Sequence, residues 1–351
     1  MPRAGSLNAL RLEREELQPP GPGEVRIAVR AVGLNLADVF ACLGLYSATP
    51  SGAFVPGLEV AGVVEAAGPY AGGPAVSAAA AFQPGDRVIG LTRFGGYATS
   101  LNADARYVRQ LPESWSFSEG AAFPVQALTA WHATHVLGRV QAGESVLVHS
   151  AAGGVGLNAL ALLDRAGARV LATVGSEAKR GFLVERYRLR KEQVIVRDRR
   201  RFGDQLDRAL RAGGADGLDL VLDGVGGPYF DPAYRKLRAA GRYVLFGASD
   251  FMPTGDGRTA LRLLPRYLNR PWLDPLGMIN TNRSVAGFNL IWLWDRLEDL
   301  SATYDTTLSA LPDPPFVGRV FPFAEAPAAL RWLKAGASVG KVVLEAKSAR
   351  T

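Results

Sequence analysis

The stretch Ser145-Val-Leu-Val-His-Ser-Ala-Ala-Gly-Gly-Val-Gly-Leu157 decides the fold of this chain. It begins with a valine-rich apolar run, which is typical of a buried parallel strand. Glycines follow at once, and apolar residues then recur at helical spacing as far as Gly167. A second valine-rich run at residues 169–174 completes a strand–turn–helix–strand unit. This unit points the N-terminus of a helix, with its unpaired N–H groups, at whatever lies over the turn.

The glycine-rich turn predicts a dinucleotide site, because a pyrophosphate binds at a helix N-terminus when glycine lets the backbone approach it. Glycines after a strand also occur in plain tight turns, but here a helix and a second strand follow as the site requires. Ala151 replaces the first glycine of the usual G-x-G-x-x-G pattern. The turn residues expected at the cofactor are Ser150, Ala151, Ala152, Gly153, Gly154, Val155 and Gly156.

The end of the second strand predicts which dinucleotide binds. An NAD site places an Asp or Glu there to bond the ribose 2′-hydroxyl. Here Gly175 and Ser176 occupy the position, no acid comes before Glu177, and Lys179 and Arg180 follow. A small uncharged pocket flanked by cations suits a 2′-phosphate, so the sequence predicts NADP(H), with Gly175, Ser176 and Lys179 at the adenosine. The alternative is that both cations lie on a solvated first turn of helix.

Length, composition and charge exclude several classes of protein. The chain of 351 residues is long enough for two domains, and 48% hydrophobic with 21% charged residues is ordinary for a globular protein. No apolar segment reaches spanning length and the start lacks a signal-peptide core, so we expect a cytoplasmic protein without a transmembrane segment. The single cysteine, Cys42, excludes an internal disulfide. The net charge of +7 comes without a recognition module, so we expect no nucleic-acid partner.

The pattern along the chain predicts an α/β protein. Short strands broken by Gly and Pro before about residue 125 indicate a small β-barrel, and residues 69–82 read as an exposed, mobile loop. Strand and helix then alternate as in a doubly wound sheet. The strands are expected at 145–150, 169–174, 193–197, 218–222, 242–246 and 284–288. Residues 250–280 are expected to be irregular, a helix to run from about 290 to 311, and a last strand at 340–345 to return to the first domain.

Six ordered motifs carry a family resemblance. They are Gly33-Leu-Asn-Leu-Ala-Asp38, Val55-Pro-Gly-Leu-Glu-Val-Ala-Gly62, Gly85-Asp-Arg-Val88, Leu128-Thr-Ala130, His149-Ser-Ala-Ala-Gly-Gly-Val-Gly156 and Val339-Gly-Lys-Val-Val343. Over about residues 20–345 they resemble the zinc-independent quinone oxidoreductase group of the medium-chain dehydrogenase/reductase superfamily. Asn282-Arg-Ser-Val-Ala-Gly-Phe-Asn289 further resembles the synaptic-vesicle amine-transport protein homologues within that group.

The resemblance implies a fold, an assembly and more cofactor residues. It implies a GroES-like β-barrel catalytic domain at residues 1–125 and 312–351, a Rossmann NADP(H)-binding domain at residues 126–311, and a homodimer. Where relatives often carry a tyrosine after the third strand, this chain has Arg197, which is expected to pair with the 2′-phosphate. The resemblance also places at the cofactor Asn35, Thr129, Gly224, Val225, Phe246, Gly247, Phe288, Asn289 and Lys341.

No metal site is expected. Zinc-dependent relatives ligate the ion with a cysteine and a His-Glu pair, and the corresponding positions here look to be Asn35 and Leu58-Glu59. The four-cysteine structural loop of those relatives is missing. His132 and His135 lie three residues apart without a third ligand of plausible spacing, so we interpret them as packing residues.

The predicted activity is an NADPH-dependent reduction of a quinone or an α,β-unsaturated carbonyl. Without a metal, hydrogen-bond donors must stabilise the negative charge that grows on the substrate oxygen. Asn35 and Tyr46 are the candidates, because their segment faces the nicotinamide in the family. Asn35 would bond either the cofactor ribose or the substrate, and Tyr46 either donates its proton or forms an aromatic wall. Two alternatives remain: an enoyl-thioester reductase of the same fold, and an NADPH-binding interaction protein with little turnover.

Overall fold

Two β-sheets organise the described part of this computed structural model, which comprises residues 1–69, 78–79, 81–253, 255 and 260–346. The strands are β1 (Glu24–Leu34), β2 (Glu59–Ala67), β3 (Arg87–Leu91), β4 (Ser100–Asp104), β5 (Val108–Gln110), β6 (Ser145–Val148), β7 (Arg169–Val174), β8 (Val194–Val196), β9 (Leu218–Asp223), β10 (Leu237–Leu245), β11 (Ser284–Gly287), β12 (Val317–Pro322) and β13 (Lys341–Glu345). The helices are α1 (Leu36–Cys42), α2 (Phe117–Ala121), α3 (Pro124–Trp131), α4 (Gly154–Arg165), α5 (Glu177–Tyr187), α6 (Phe202–Ala212), α7 (Phe230–Arg235), α8 (Ala260–Leu268), α9 (Pro275–Thr281), α10 (Leu297–Ala310) and α11 (Ala326–Lys334).

The first compact unit comprises Met1–Gln126, Thr254–Arg258 and Leu293–Thr351. Its sheet has the strand order β12-β13-β1-β2-β3-β5, and β4 pairs with β1. Buried and half-buried residues alternate along the first part of β1, which sets one face of that strand against the core. The last strand, β13, pairs antiparallel with β1, so the expected return of the chain end to the first domain is confirmed.

The second unit comprises Ala127–Pro253 and Thr259–Trp292. Its six strands are all parallel, in the order β11-β10-β9-β6-β7-β8. Read from β8, this is the Rossmann order, in which the chain reverses direction across the sheet between β6 and β9. Helices cover the sheet, and β7 is buried on both faces from Val170 onward, as parallel sheets require. The predicted doubly wound sheet is therefore confirmed, with all six strands within a few residues of expectation.

The expected helix at 290–311 is wrong in its first part. Leu290–Leu293 form a short 3₁₀ helix, and α10 begins only at Leu297. This helix belongs to the first unit, because Tyr304 is buried there with its ring centroid 6.5 Å from that of Phe123. The second unit ends at Trp292, whereas the predicted Rossmann domain extends to residue 311.

The expectation for residues 250–280 is also corrected. Two helices, α8 and α9, occupy part of this segment. Pro265 lies inside α8, and Pro275 begins α9, where its missing N–H costs nothing. Most of the predicted 69–82 loop lies outside the described residues. Among the residues that are described, no helix is both long and apolar enough to cross a membrane.

A buried ion pair joins β13 to β2 in the first unit. Lys341 is 1% exposed and Glu59 is fully buried. The Lys341 ammonium donates to Glu59 Oε1, and to Asn35 Oδ1 at 2.8 Å. Asn35 Nδ2 in turn donates to Glu59 Oε1 at 2.7 Å, and the backbone N–H of Val125 donates to Glu59 Oε2 at 2.8 Å. Burial lowers the pKa of Lys341 and the Glu59 carboxylate opposes that shift, so the two charges depend on each other.

We predict that Lys341→Met lowers the free energy of unfolding by about 3–5 kcal/mol, because it leaves the Glu59 carboxylate buried without a counter-charge. Urea unfolding followed by circular dichroism measures this loss. The half-exposed pair Lys236–Asp207 provides the control, since Lys236→Met should cost at most about 1 kcal/mol.

The double variant Lys341→Met with Glu59→Gln separates a missing charge from a missing contact. We expect it to be more stable than Lys341→Met alone, since neither side chain is then charged. A double variant less stable than the single one would contradict this account of the ion pair.

Candidate functional site

The glycine-rich turn of the second unit ends β6 and begins α4. Ser150 adopts a left-handed conformation with φ of 52°, and Gly153 caps the helix in extended conformation. Leu157 makes the first backbone bond of the helix, to Gly153 O at 2.8 Å, so the N–H groups of residues 154–156 point out of its N-terminus. A Cβ on Gly156 would lie 2.6 Å from Ala151 Cα, so only glycine lets the helix sit this close to the turn.

The exposed N–H groups at the start of α4 are suited to bind a pyrophosphate. Donor groups at a helix N-terminus form a site for an anion, and the helix dipole favours negative charge there. Ala151, which stands in place of the first glycine, is fully buried, and its N–H donates to Thr173 O at 3.0 Å. The expected turn residues are therefore brought together in the predicted geometry.

Two cations lie where β7 and β8 end. Arg197 Nη1 donates to Thr173 Oγ1 at 2.8 Å and to Ser150 Oγ at 3.4 Å, and its guanidinium lies 5.4 Å from the ring centroid of Tyr229. Ser176 caps α5 and accepts from the N–H of Lys179 at 3.4 Å. Burial, and then the charge of Arg197, lower the pKa of Lys179. The repulsion between these two cations favours an anionic ligand, which would relieve it.

The two cations in the first turn of α5 have different surroundings. Arg180 pairs with the carboxylate of Glu177 on the helix surface. Lys179 is equally half-buried, and the charge of Arg197 contributes to lowering its pKa. That Lys179 faces the cofactor, and not solvent, stays a prediction. Gly175 lies beside Arg197, since a Cβ there would be 3.8 Å from Nη2.

The loops after β9 and β10 lie at the same edge of the sheet. Asp223 Oδ1 accepts from the N–H groups of Val225 at 2.7 Å and Gly226 at 2.9 Å. Its other oxygen accepts from the hydroxyl of Tyr243 at 2.7 Å, which holds the loop after β9 to strand β10. A Cβ on Gly247 would come within 2.8 Å of Gly224 O, so the two loops need glycine to pack.

Aromatic residues continue this edge toward the end of β11. The ring centroid of Phe288 lies 6.2 Å from that of Phe246 and 4.6 Å from that of His132. Thr129 is 8% exposed on α3, and Thr129 and Asn289 each interact with other residues of the structure. The carboxyl ends of parallel strands are where doubly wound sheets bind ligands, and the predicted cofactor residues of the second unit follow those ends.

The first unit presents Asn35, Lys341 and Tyr46 differently. Asn35 is 6% exposed and holds the Lys341–Glu59 pair with both its oxygen and its nitrogen, so one amide proton remains for a ligand. Lys341 is buried in that pair and does not present its ammonium at a surface. Tyr46 is half-buried in the turn after α1, where its carbonyl accepts from Thr49.

Sequence reasoning missed Asp38 as part of this cluster. Its Oδ2 accepts from the backbone N–H of Asn35 at 2.8 Å and from the hydroxyl of Tyr97 at 3.4 Å. Burial raises the pKa of Asp38 to about 7. The available signal was its position three residues after Asn35, where an acid closes a capping box. Thr173 and Tyr229, which hold Arg197, carry no comparable signal in the sequence.

The candidate metal ligands are engaged otherwise. Glu59 is committed to the ion pair, and burial raises the pKa of the Cys42 thiol to about 12, so it stays protonated. His135 stacks on Trp131 with ring centroids 4.0 Å apart, and His149 is buried with Nδ1 3.1 Å from Thr173 Oγ1. In the described ranges, no group of three His, Cys, Asp or Glu residues could hold a metal ion.

Two family models match the chain. The alcohol dehydrogenase GroES-like domain matches residues 21–113, and a model described as zinc-binding dehydrogenase matches residues 189–344. The synaptic vesicle membrane protein VAT-1 homolog of Rattus norvegicus is 32% identical over 97% of this chain and 81% of its own length. A mycocerosic acid synthase-like polyketide synthase of Mycobacterium tuberculosis is 33% identical over 97% of this chain, but the chain spans only 15% of that protein.

Solved structures agree with both units. The quinone oxidoreductase from Thermus thermophilus, solved alone and with NADPH, is 31% identical with a TM-score of 0.72, covering 97% of this chain and 98% of that one. The CurK enoyl reductase is 28% identical with a TM-score of 0.76, covering 97% and 96%. The α/β fold of a GroES-like domain and a Rossmann domain is thereby confirmed, and the chain belongs to the medium-chain dehydrogenase/reductase superfamily, with the VAT-1 homologues and quinone oxidoreductases.

Proposed function

We propose that this protein is an NADPH-dependent, zinc-independent oxidoreductase that transfers hydride to a quinone or an α,β-unsaturated carbonyl. The observation that carries the proposal is the second unit's ligand edge, where the helix N-terminus at Gly154 and the cations Arg197 and Lys179 are arranged for a 2′-phosphorylated dinucleotide. Quinone oxidoreductase from Thermus thermophilus, which is similar over nearly the whole chain, was solved with NADPH.

NADPH supplies the hydride, and the chain's residues supply binding and orientation. The N–H groups at residues 154–156 hold the pyrophosphate, and the Arg197 guanidinium, fixed by Thr173, pairs with the 2′-phosphate. Asp223 holds the loop of Val225, which borders the same edge. Asn35 keeps one amide proton for the cofactor ribose or the substrate oxygen.

Zinc independence rests on the donor set of the first unit. Glu59 corresponds to the carboxylate zinc ligand of zinc-dependent relatives. It is fully buried and accepts hydrogen bonds from Lys341 and Asn35. Leu58, its neighbour, offers no donor atom. We therefore propose that hydrogen bonds, and not a Lewis acid, stabilise the substrate oxygen during the reaction.

An enoyl-thioester reductase is the second candidate. The chain is similar along its length to the CurK enoyl reductase and to part of a polyketide synthase. That reaction also adds hydride to a carbon–carbon double bond conjugated with a carbonyl. The same cofactor edge would therefore serve an enone reductase and an enoyl-thioester reductase. The third candidate, an NADPH-binding interaction protein, predicts cofactor binding without turnover.

One experiment separates these candidates. The full chain, dialysed against a chelator and assayed for zinc by elemental analysis, is mixed with NADPH and a panel of quinones, enals and enoyl thioesters. We expect NADPH oxidation with quinones or enals and no stoichiometric zinc. Oxidation of NADPH with thioesters alone would favour the enoyl-thioester reductase. Binding of NADPH without oxidation would favour the interaction protein. A stoichiometric zinc ion that is needed for turnover would overturn the proposed mechanism.

We also propose a homodimer joined through the second unit's sheet. β11 is the edge strand of that sheet, and an unprotected edge is a template for pairing with another chain. Just before it, α9 exposes Leu276 and Ile279, each at 70%. Light scattering on the chelated preparation measures the mass, and a monomer at micromolar concentration would contradict the proposal.

Cofactor choice gives a sharper prediction. Lys179→Ala should weaken NADPH binding by about 1.5–3 kcal/mol, because it removes one charge-assisted contact to the 2′-phosphate, and should leave NADH binding almost unchanged. Titration calorimetry with both cofactors measures this difference. The control is Lys191→Ala, which removes an exposed lysine of the same unit. Equal affinity of the unaltered protein for NADPH and NADH would show that the pocket does not read the phosphate.

Tyr46 is the proposed proton donor to the substrate oxygen. It lies in a turn four residues after α1 and is half-buried. The other interpretation gives it the role of an aromatic wall, with the proton drawn from water. The ring serves both roles, whereas only the donor role needs the hydroxyl.

Tyr46→Phe therefore distinguishes the two roles. If the hydroxyl stabilises the transition state, kcat should fall about 100-fold while NADPH affinity stays the same. Tyr267→Phe, at an exposed tyrosine, is the matched control and should leave kcat unchanged. A decrease of less than about threefold would assign Tyr46 to packing and leave Asn35 or backbone donors to stabilise the oxygen.

A further inference from the structure

A cavity lies in the Rossmann unit at the amino ends of its strands, which form the edge opposite the glycine-rich turn. Its volume is about 680 Å³, within the range of small-molecule sites. Ser145 and Arg169, which begin β6 and β7, line it, as does the segment at residues 186–190 that follows α5. Because the strands are parallel, this cavity and the proposed cofactor edge are at different ends of the sheet. The oxidoreductase function does not use it.

The rim of this cavity is strongly basic. Arg169, Arg186, Arg188 and Arg190 line it, with Asp164 as the one acid among the lining residues. No carboxylate oxygen in the described structure lies within 4.0 Å of the guanidinium groups of Arg169, Arg188 or Arg190. Their positive charge is therefore not neutralised by ion pairing, and a lining of this kind attracts an anionic group.

The backbone and neighbouring amides hold this rim in place. Arg188 ends α5 in left-handed conformation with φ of 54°, which turns the chain around the cavity. Arg190 Nε donates to Gln193 Oε1 at 3.2 Å, and Gln193 Nε2 donates to Val170 O at 2.9 Å. Arg190 is thereby linked to β7 through Gln193, while the side chains of Arg169, Arg186 and Arg188 are exposed at the rim, where an anionic head group can reach them.

The inner wall of the cavity is apolar, with one exception. Leu160, Leu171 and Leu210 line it and are each at most 5% exposed. Ser145 also lines it, is 2% exposed, and its Oγ has no hydrogen-bond partner among the described residues. A buried hydroxyl without a partner is costly, so a polar atom of a ligand is the simplest partner for it.

We propose that this cavity binds an amphiphilic anion: a molecule with a phosphate or carboxylate head group and an apolar chain. The arginines would bind the head group through charge-assisted hydrogen bonds, and Ser145 would donate to one of its oxygens. The leucine wall would bury the chain. Neither a bare inorganic anion nor an uncharged apolar molecule satisfies both parts of the lining.

Titration calorimetry on the full chain, saturated with NADPH so that the cofactor edge is filled, tests this directly. The probes are dodecyl phosphate, dodecanoate, inorganic phosphate and dodecanol, each below its aggregation limit. We expect one of the first two to bind at one site per chain, and inorganic phosphate and dodecanol to bind at least about tenfold more weakly. The tighter of the first two identifies the head group.

Variants locate the site. Arg188→Ala combined with Arg190→Ala should weaken binding of the amphiphile about tenfold or more, and Ser145→Ala should weaken it less. Arg200→Ala removes an exposed arginine of the same unit and should change nothing. Unchanged NADPH affinity in each variant shows that the unit is folded.

Two results would overturn the proposal. One is binding of dodecanol or of inorganic phosphate as tight as that of dodecyl phosphate and dodecanoate. The other is unchanged amphiphile binding in the double arginine variant with NADPH affinity preserved. Neither result depends on whether the chain turns over a quinone, so a failure here is distinguishable from a failure of the proposed function.

Discussion

The ion pair between Lys341 and Glu59 is the constraint on which the first unit depends. It joins the last strand of the sheet to β2, and Asn35 and the Val125 N–H complete the bonding of both charges. A buried pair of charges is tolerated only when each has its partner and its hydrogen bonds. The segment around α1, which contains the candidate donor residues, is thereby fixed from within the core.

The second unit is governed by a different arrangement of charge. Its proposed cofactor edge carries positive charge next to a turn whose glycines would let a ligand approach the backbone N–H groups. Arg197 is held there by a hydroxyl and an aromatic ring and not by a carboxylate. Arg197 can therefore bind an anionic ligand, whereas the charge of Lys341 is already paired with Glu59.

The sequence predicted the second unit well, because its pattern is local. Each strand is a short apolar run next to a helix, and the glycine-rich turn has a recognisable local pattern, so the six strands follow from neighbouring residues. Their order in the sheet depends on pairing between distant strands, such as β6 with β9. The predicted start of the helix α10 is wrong, because contacts with residues distant in sequence decide where that helix packs. The apolar face of α10 has the same sequence pattern whichever unit it packs against. Its contacts with residues such as Phe123 and Arg109 show that it belongs to the first unit.

The candidate site was predictable to the same extent. Lys179 and Arg197 could be proposed from the sequence, because a missing acid is visible along the chain and the family resemblance shows a change of residue type at Arg197. The partners of Arg197, and the role of Asp38, could not, since they arise from contacts between residues far apart in sequence. The role of Asn35 toward a ligand stays a prediction, and its hydrogen bonds to Lys341 and Glu59 are visible only in three dimensions.

The pairing of β13 with β1 also has a consequence for the order of folding during synthesis. The second unit is built almost entirely from residues 127–292, and its sheet is complete once these have left the ribosome. The first unit begins the chain but needs residues 341–345 to finish its sheet and to neutralise Glu59. The part made first is therefore the part completed last, and until then its apolar strands are accessible to chaperones and to other nascent chains.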